Sequence, residues 1–323
     1  MSETDGFFSL EISSTFSNKK ISKNALPYLT AEIGLNHNND IELGKKLISE
    51  AKKNGADGVK FQSYSTDLFI DSANNEVKFL YNIFKAYELD YKSHEILKQT
   101  ANDEGIDFFS TPLSIDWIEP LLKLQIPFYK IASGDINNFQ LISKVIQTQK
   151  PLILSTGSAS ISEIEKIAEY LKINMIKDCI FLHCVSIYPT PFEKLNLINI
   201  SYLEKKLKAL IGFSDHSIGE DAAFAAVSSG AVLIEKHFTI DNNLPGPDQK
   251  LSATPEILKK IREKINKAYY MKGEKKQNAL SEELKSDFFG KRSLYEKNGQ
   301  FIALRPRVPH LPKDSDYIEK NFN

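Results

Sequence analysis

Cysteine is almost missing from this chain: its 323 residues include two, Cys179 and Cys184. Both fall in one short apolar run, so neither a disulfide framework nor a zinc-binding spacing is available. Charge of one sign is lacking as well. Lys and Arg number 41 against 42 Asp and Glu, a formal net charge of -1. No field of the whole protein draws it to nucleic acid or to an anionic membrane, and any anionic ligand must be held by a local cluster of cations. The longest apolar runs are far too short to span a bilayer. The opening "MSETDGFFSLEISS" has neither a basic n-region nor an apolar h-region. These absences predict a protein of the reducing cytoplasm with neither a membrane nor a nucleic-acid partner. Internal repeats, low-complexity tracts and a Gly-rich phosphate fingerprint after the first strand are also missing.

What is present is alternation. The runs "LTAEIGLN" (29–36), "GVKFQ" (58–62), "IDFFSTP" (106–112), "FYKIASGD" (128–135), "PLILSTGS" (151–158), "CIFLHCVSIYP" (179–189), "LIGFSDH" (210–216) and "VLIEKHFT" (232–239) read as strands, each followed by a helical pattern. In the first helix, 40–56, Ile41, Leu43, Leu47, Ile48 and Ala51 recur at helical spacing and Gly55 closes it. The strands are near-continuously apolar, as parallel strands covered on both faces should be. Eight strand–helix units in roughly 250 residues predict an α/β protein, a (β/α)8 TIM barrel over residues 29–272 with a short C-terminal extension. Residues 1–28 are expected to plug the barrel floor as a hairpin of "FFSLEIS" and "ALPYLT". Residues 273–290 read as a linker, and 291–323 as a tail too small for a core of its own.

The ionisable residues collect where these strands end. The eighth run passes directly into Glu235, Lys236 and His237, and the seventh into Ser214, Asp215 and His216. Earlier runs end near Glu32, Asn36 and His37; Lys60 and Gln62; Ser110 and Thr111; Lys130, Ser133 and Asp135; Ser155 and Thr156; and His183, Ser186 and Tyr188. In a TIM barrel that rim carries the active site. Alternate residues of a strand point inward, so Glu235 and His237 share one direction, as do Ser214 and His216, while Lys236 points the other way. His216 and His237, on neighbouring strands, can therefore converge as imidazoles on a metal ion.

Lys60 and Lys130, with the hydroxyls of Thr111, Ser133 and Ser155, suit a small doubly anionic ligand such as a phosphate joined to a carboxylate. A divalent metal on two histidines keeps open positions and can polarise a carbonyl oxygen. Glu32 and Glu235 are available for proton transfer or for holding a metal-bound water. Together these groups suggest a condensation in which an enol phosphate attacks an aldehyde. Three other readings compete. A metal-dependent hydrolase would draw ligands from His37, His183, His216, His237 and Asp215, but strand one carries no His-x-His pair and a hydrolase has no need of two lysines. A Schiff-base aldolase would use Lys130 as a desolvated nucleophile. An inactive barrel would serve as a binding or assembly partner.

The motifs "AEIGLNHN", "VKFQ", "FFSTP", "YKIASGD", "LSTG", "LHCVSIYPTP", "GFSDHSIG" and "EKHFTIDNNLPGPDQKLS" resemble, in order and spacing over roughly residues 20 to 272, the sialic acid synthase family. The resemblance implies a transferase that joins phosphoenolpyruvate to an N-acyl aminosugar with release of phosphate, aided by Mn2+ or by Mg2+ or Co2+, and working as a homodimer. His216 and His237 would ligate the metal. Lys60, Thr111, Lys130, Ser133, Ser155 or Thr156, Ser186 and Ser214 would bind phosphoenolpyruvate. Tyr188 and Asp248 would contact the aminosugar. Glu32 and Glu235 would handle water and the sugar carbonyl, and the expected catalytic set is Glu32, Glu235, Lys60, Lys130 and Gln62. Two departures stand out. Neuraminate-making members usually carry Asn where this chain has Ser186. The family's C-terminal antifreeze-like domain is roughly twice as long as the tail here, which keeps "RSL" and "LRP" and offers Arg305 for the sugar's acyl group.

Overall fold

The computed structural model describes residues 6–273 and 279–313. It divides into two compact units, 1–272 and 273–323. Residues 1–5 of the expected plug, 274–278 of the expected linker and 314–323 of the expected tail lie outside the described residues.

The first unit opens with a small antiparallel pair, β1 (Glu11–Ser13) and β2 (Lys20–Ser22). Eight parallel strands follow: β3 (Tyr28–Gly34), β4 (Gly58–Ser63), β5 (Asp107–Pro112), β6 (Tyr129–Ile131), β7 (Leu152–Ser155), β8 (Cys179–Cys184), β9 (Leu210–Asp215) and β10 (Leu233–His237). They close into a barrel in chain order, with β10 paired to β3. Apart from half-buried Gln62, every residue of these eight strands is buried. Burial on both faces is what selects the unbroken apolar runs of the sequence over alternation.

The helices between strands start and stop on local signals. Helix Ile41–Lys53 begins where the Asp40 side chain accepts from the amides of Glu42 and Leu43, and it buries Gly44, Leu47, Ile48 and Ala51 against the barrel. Helix Ile161–Ile173 carries a capping box between Ser160 and Glu163. Helix Tyr91–Glu104 ends at Gly105, whose left-handed φ of +66° closes the last turn.

The N-terminal hairpin differs in pairing from the expected one. Residues 11–13 pair with 20–22, and Tyr28 and Leu29 enter the barrel instead, against Leu233 and Ile234. The reason is continuity: "YLT" runs without a break into the apolar "AEIG", and ladder bonds to β10 satisfy its backbone. The hairpin meets the start of β5, where the Asp107 carboxylate accepts from Ser14 Oγ (2.8 Å), Ser17 Oγ (3.0 Å) and Tyr28 Oη (2.6 Å). Ile12 and Ile21 are buried beneath it, and Phe8 packs edge-on against Phe181.

In the second unit, short helices occupy Ser281–Lys285 and Asp287–Gly290, within the segment read as a linker. Strands β11 (Ser293–Lys297) and β12 (Gln300–Leu304) pair across Asn298 and Gly299, both at positive φ, as a tight two-residue hairpin turn requires. Ser293 is the one buried residue among those described in this unit, so it holds together by local hydrogen bonds and not by an apolar core.

Candidate active site

The period-two pleat decides which strand-end residues meet. On adjacent strands Glu32 pairs in register with Lys60 and with His237, and Gln62 with Thr111. All of these turn inward. A cavity of about 350 Å³ at the C-terminal ends of the strands is lined by Glu32, Lys60, Gln62, Thr111, Lys130, Ser133, Ser155, Ser186, Tyr188, Ser214, Glu235, His216 and His237. The four residues that were to converge, two imidazoles and two ammonium groups, therefore face one space. The opposite face of the pleat carries different chemistry. Lys236 and Asp215 point outward as a fully buried pair at 2.8 Å, and Ser63 and Ser110 bond each other there, Ser63 also meeting His94.

Inside the cavity the charges alternate. Lys60 Nζ lies 2.7 Å from Glu32 Oε2 and 3.8 Å from Glu235 Oε2, and Lys130 Nζ lies 3.8 Å from Glu235 Oε1. Burial pushes Glu32 up to about 7, the nearby Lys60 opposing and Glu235 reinforcing the rise. Burial also acts against the Glu235 charge, but Lys130, Lys60 and the hydrogen bond from Ser214 outweigh it and hold that carboxyl below its usual range. Burial lowers Lys130. It works to lower Lys60 too, where Glu235 and Glu32 prevail and keep the ammonium above its ordinary value.

The hydroxyls around these lysines are oriented by what they accept. Thr111 Oγ1 accepts from Lys60 Nζ (3.0 Å), Ser155 Oγ from Lys130 Nζ (2.5 Å), and Ser133 Oγ from the Gly157 amide (3.0 Å). Each of the three oxygens takes a bond from a fixed donor and lies on the cavity wall, and each hydroxyl keeps an O–H able to donate. Ser214 differs, because its proton goes to Glu235 Oε1 at 3.0 Å. Two buried cations with three hydroxyls on one wall suit an anion with several oxygens.

His216 and His237 stand with ring centroids 5.6 Å apart. His216 Nδ1 is engaged by the Val185 carbonyl at 2.9 Å, which leaves its other ring nitrogen as the available one. His237 Nδ1 is buried with no hydrogen-bond partner, 3.7 Å from Asp248 Oδ2. Burial lowers His237 to about 3, so its imidazole is neutral near pH 7, the form that ligates metal. Among the described residues no cluster of three or more His, Cys, Asp or Glu has metal-holding geometry. The two imidazoles thus offer a partial donor set that fits a divalent cation completed by water or substrate.

Three expected site residues are not among those lining this cavity. Thr156 gives its hydroxyl to the Leu182 carbonyl and lines an adjoining cavity of about 400 Å³, so Ser155 is the member of that pair that reaches the reaction cavity. Asp248 sits across from His237 in the loop after β10, where burial raises its carboxyl. Arg305 follows β12 in the second unit. The rival hydrolase ligands are dispersed: His183 bonds the Leu195 carbonyl, His37 Nδ1 accepts from the Asn39 amide, and Asp215 is spent on Lys236.

Residues that escaped sequence reading also line the cavity, among them Ser158 and Cys184. Gly157 shapes it from behind: a Cβ there would stand 2.7 Å from Ser133 Oγ and closer still to Ser186 Oγ. The available signal was the small-residue run "STGS" directly after a strand.

The NeuB family model matches residues 47–277. An uncharacterized protein of Methanocaldococcus jannaschii is 41% identical over 288 residues, 88% of this chain and 84% of that one. The N,N'-diacetyllegionaminic acid synthase of Campylobacter jejuni is 37% identical over 283 residues, 83% of this chain and 84% of that protein. Among solved structures, an N-acetylneuraminic acid (sialic acid) synthetase from Leptospira borgpetersenii, in complex with citrate, superposes with a TM-score of 0.81 at 35% identity, covering 86% of this chain and 95% of that one. With the barrel, the cavity and these matches agreeing over most of its length, the chain belongs to the NeuB family of synthases.

Proposed function

We propose that this chain condenses phosphoenolpyruvate with an N-acyl aminosugar aldehyde to a 2-keto acid three carbons longer, releasing inorganic phosphate. The observation that carries the reading is the triplet of hydroxyls, Thr111, Ser133 and Ser155, each committed as acceptor to a fixed donor beside Lys60 and Lys130. Lys60 and Lys130 hold the phosphate and carboxylate of phosphoenolpyruvate, with Ser186 and Ser214 at the wall of the same cavity. The aminosugar enters towards Tyr188, half of whose surface is open, and towards Asp248; Arg305 is the candidate contact for its acyl group. His216 and His237 would hold a divalent cation, manganese or else magnesium or cobalt, which when bound would polarise a carbonyl oxygen.

C3 of phosphoenolpyruvate attacks the aldehyde carbon, and the former aldehyde oxygen takes up a proton. Glu32, near-balanced between its two forms at neutral pH, is suited to supply that proton, with Gln62 Nε2 donating to Glu32 Oε1 at 3.3 Å to fix its carboxyl. Water then adds at C2, and Glu235, held ionised, takes the water proton. The tetrahedral adduct expels phosphate by breaking its C2–O bond. The reading includes a homodimer in the cytoplasm, which sedimentation can check. Among sugars, the diacetamido hexose that precedes legionaminate is the first candidate, supported by the Campylobacter relative and by Ser186 in place of the Asn usual in neuraminate-making members.

The test is phosphate release from phosphoenolpyruvate against N-acetylmannosamine and the diacetamido hexoses preceding legionaminate and pseudaminate. Release should require both substrates, and 18O in the bridging position should leave with phosphate. Borohydride trapping of substrate on Lys130, whose lowered basicity suits a Schiff base, would instead establish the aldolase reading.

A further inference from the structure

The loop between His237 and helix Pro255–Lys272 carries Asp248, whose side chain makes no hydrogen bond among the described residues and stands 3.7 Å from His237 Nδ1. Its neighbour Gln249 does the fixing. Gln249 is fully buried. Its Nε2 donates to the Asn36 carbonyl (3.2 Å) and to Asn38 Oδ1 (3.3 Å), both in the loop after β3. Its Oε1 accepts from the Thr239 hydroxyl, and its backbone carbonyl accepts from Asn242 Nδ2 at 2.6 Å. Asn36 reinforces the same junction, donating to the Phe238 carbonyl (2.9 Å) and to Ser252 Oγ (2.8 Å). Ser252 Oγ in turn donates to the Asp248 carbonyl at 2.6 Å. Gly246, at a φ of +146°, keeps the loop close: a Cβ there would meet Gln249 Cγ at 3.1 Å and Asn38 Oδ1 at 3.3 Å. Every bond of this amide joins two loops or two points of one loop, and none reaches the reaction cavity.

We propose that Gln249 is a positioning residue: it clamps the loop after β10 to the loop after β3, and so holds Asp248 across from His237 at the aminosugar side of the cavity. The inference rests on the reading above in which Asp248 meets the aminosugar. A side-chain amide is suited to the task because it donates twice to one loop while accepting from another, which neither a carboxylate nor an aliphatic chain can do.

Two measurements on the full chain test it together. In Gln249→Ala the KM for the aminosugar should rise about tenfold while that for phosphoenolpyruvate stays within about twofold, since roughly one to two net hydrogen bonds of positioning are lost on one substrate only. Gln249→Glu, which sets a buried carboxylate against the Asn36 carbonyl and Asn38 Oδ1, should raise the aminosugar KM at least as much as Ala. Lys250 is the single trypsin site between Lys236 and Lys259 and is exposed, so cutting after Lys250 reports loop release directly. That cut should quicken in both variants relative to wild type. If Gln249→Ala does not fold, Thr239→Val removes one bond with almost no change of shape and should show the same split, smaller in size. An unaltered aminosugar KM with unaltered cutting, or equal rises in both KM values, would overturn the clamp. If wild type turns over none of the sugars, the functional reading fails by itself, and the rate of cutting after Lys250 still decides whether Gln249 holds the loop.

Discussion

Glu32 and Lys60 sit side by side on adjacent barrel strands, carboxylate to ammonium at 2.7 Å, both almost wholly out of solvent. The pair makes the free site electrically balanced and lets it accept an anion by loosening one contact, without having to bury a bare charge. A buried ion pair adds little stability in itself, but removing one partner strands the other.

Lys60→Met should therefore act twice. It should weaken the fold, by less than the about 3 kcal/mol of an orphaned buried charge because Glu32 can take up a proton once Lys60 is gone, and should abolish measurable use of phosphoenolpyruvate. Adding Glu32→Gln should restore most of the lost stability and none of the activity. Urea unfolding and phosphate release, measured on the same preparations, separate the two effects; stability that stays low in the double variant would show that the carboxylate is not the stranded group.

Gly157→Ala should spare the fold's secondary structure and damage the anion site. The new methyl must displace Ser133 and Ser186 Oγ. The expected outcome is a rise of about tenfold or more in the KM for phosphoenolpyruvate, in line with one charge-assisted bond lost. Circular dichroism and steady-state kinetics check it, and an unaffected KM would mean that the anion binds elsewhere in the barrel.

His237→Ala should cut metal affinity without unfolding the chain, because His237 Nδ1 has no hydrogen-bond partner to leave behind. Titration of Mn2+ followed by paramagnetic resonance should show binding to wild type and about 100-fold weaker binding to the variant, at the upper end of what one missing ligand costs. A chelator should silence wild type, and Mn2+ should restore it.

Acid should weaken the fold through two buried imidazoles that do not line the reaction cavity. Burial lowers His94 to about 4 and His37 to about 3, from an ordinary value of 6.5. At these two sites the unfolded chain binds more protons than the folded one between about pH 6.5 and the folded values, so their contribution to stability falls as pH drops through that window, by up to about 1.4 kcal/mol per pH unit per group. Urea midpoints between pH 7 and pH 5 should decline, and His94→Gln should flatten that decline relative to wild type. A midpoint independent of pH in wild type would contradict the burial of both rings.

Much of this was written in the residue order. Unbroken runs such as "LILS" and "CIFLHC" fix parallel strands with two covered faces, because only such strands have no solvent side to mark with polar residues. Period-two geometry then separates Glu235 and His237 from Lys236, and the structure has them on opposite faces. Local chemistry could not choose between Ser155 and Thr156, which differ by one step of the pleat, nor show that "YLT" would leave the N-terminal hairpin for the barrel. Nor could it foresee that Gln249 and Asn36, 213 positions apart, bond each other's loops. The sequence by itself determined the barrel and the inward set of rim residues, since both follow from repeats of two and of 3.6 along the chain. The partners of each charge and the bonds that Gln249 makes between two loops were decided by the closed tertiary structure, because they depend on distances between strands and loops that no local period encodes.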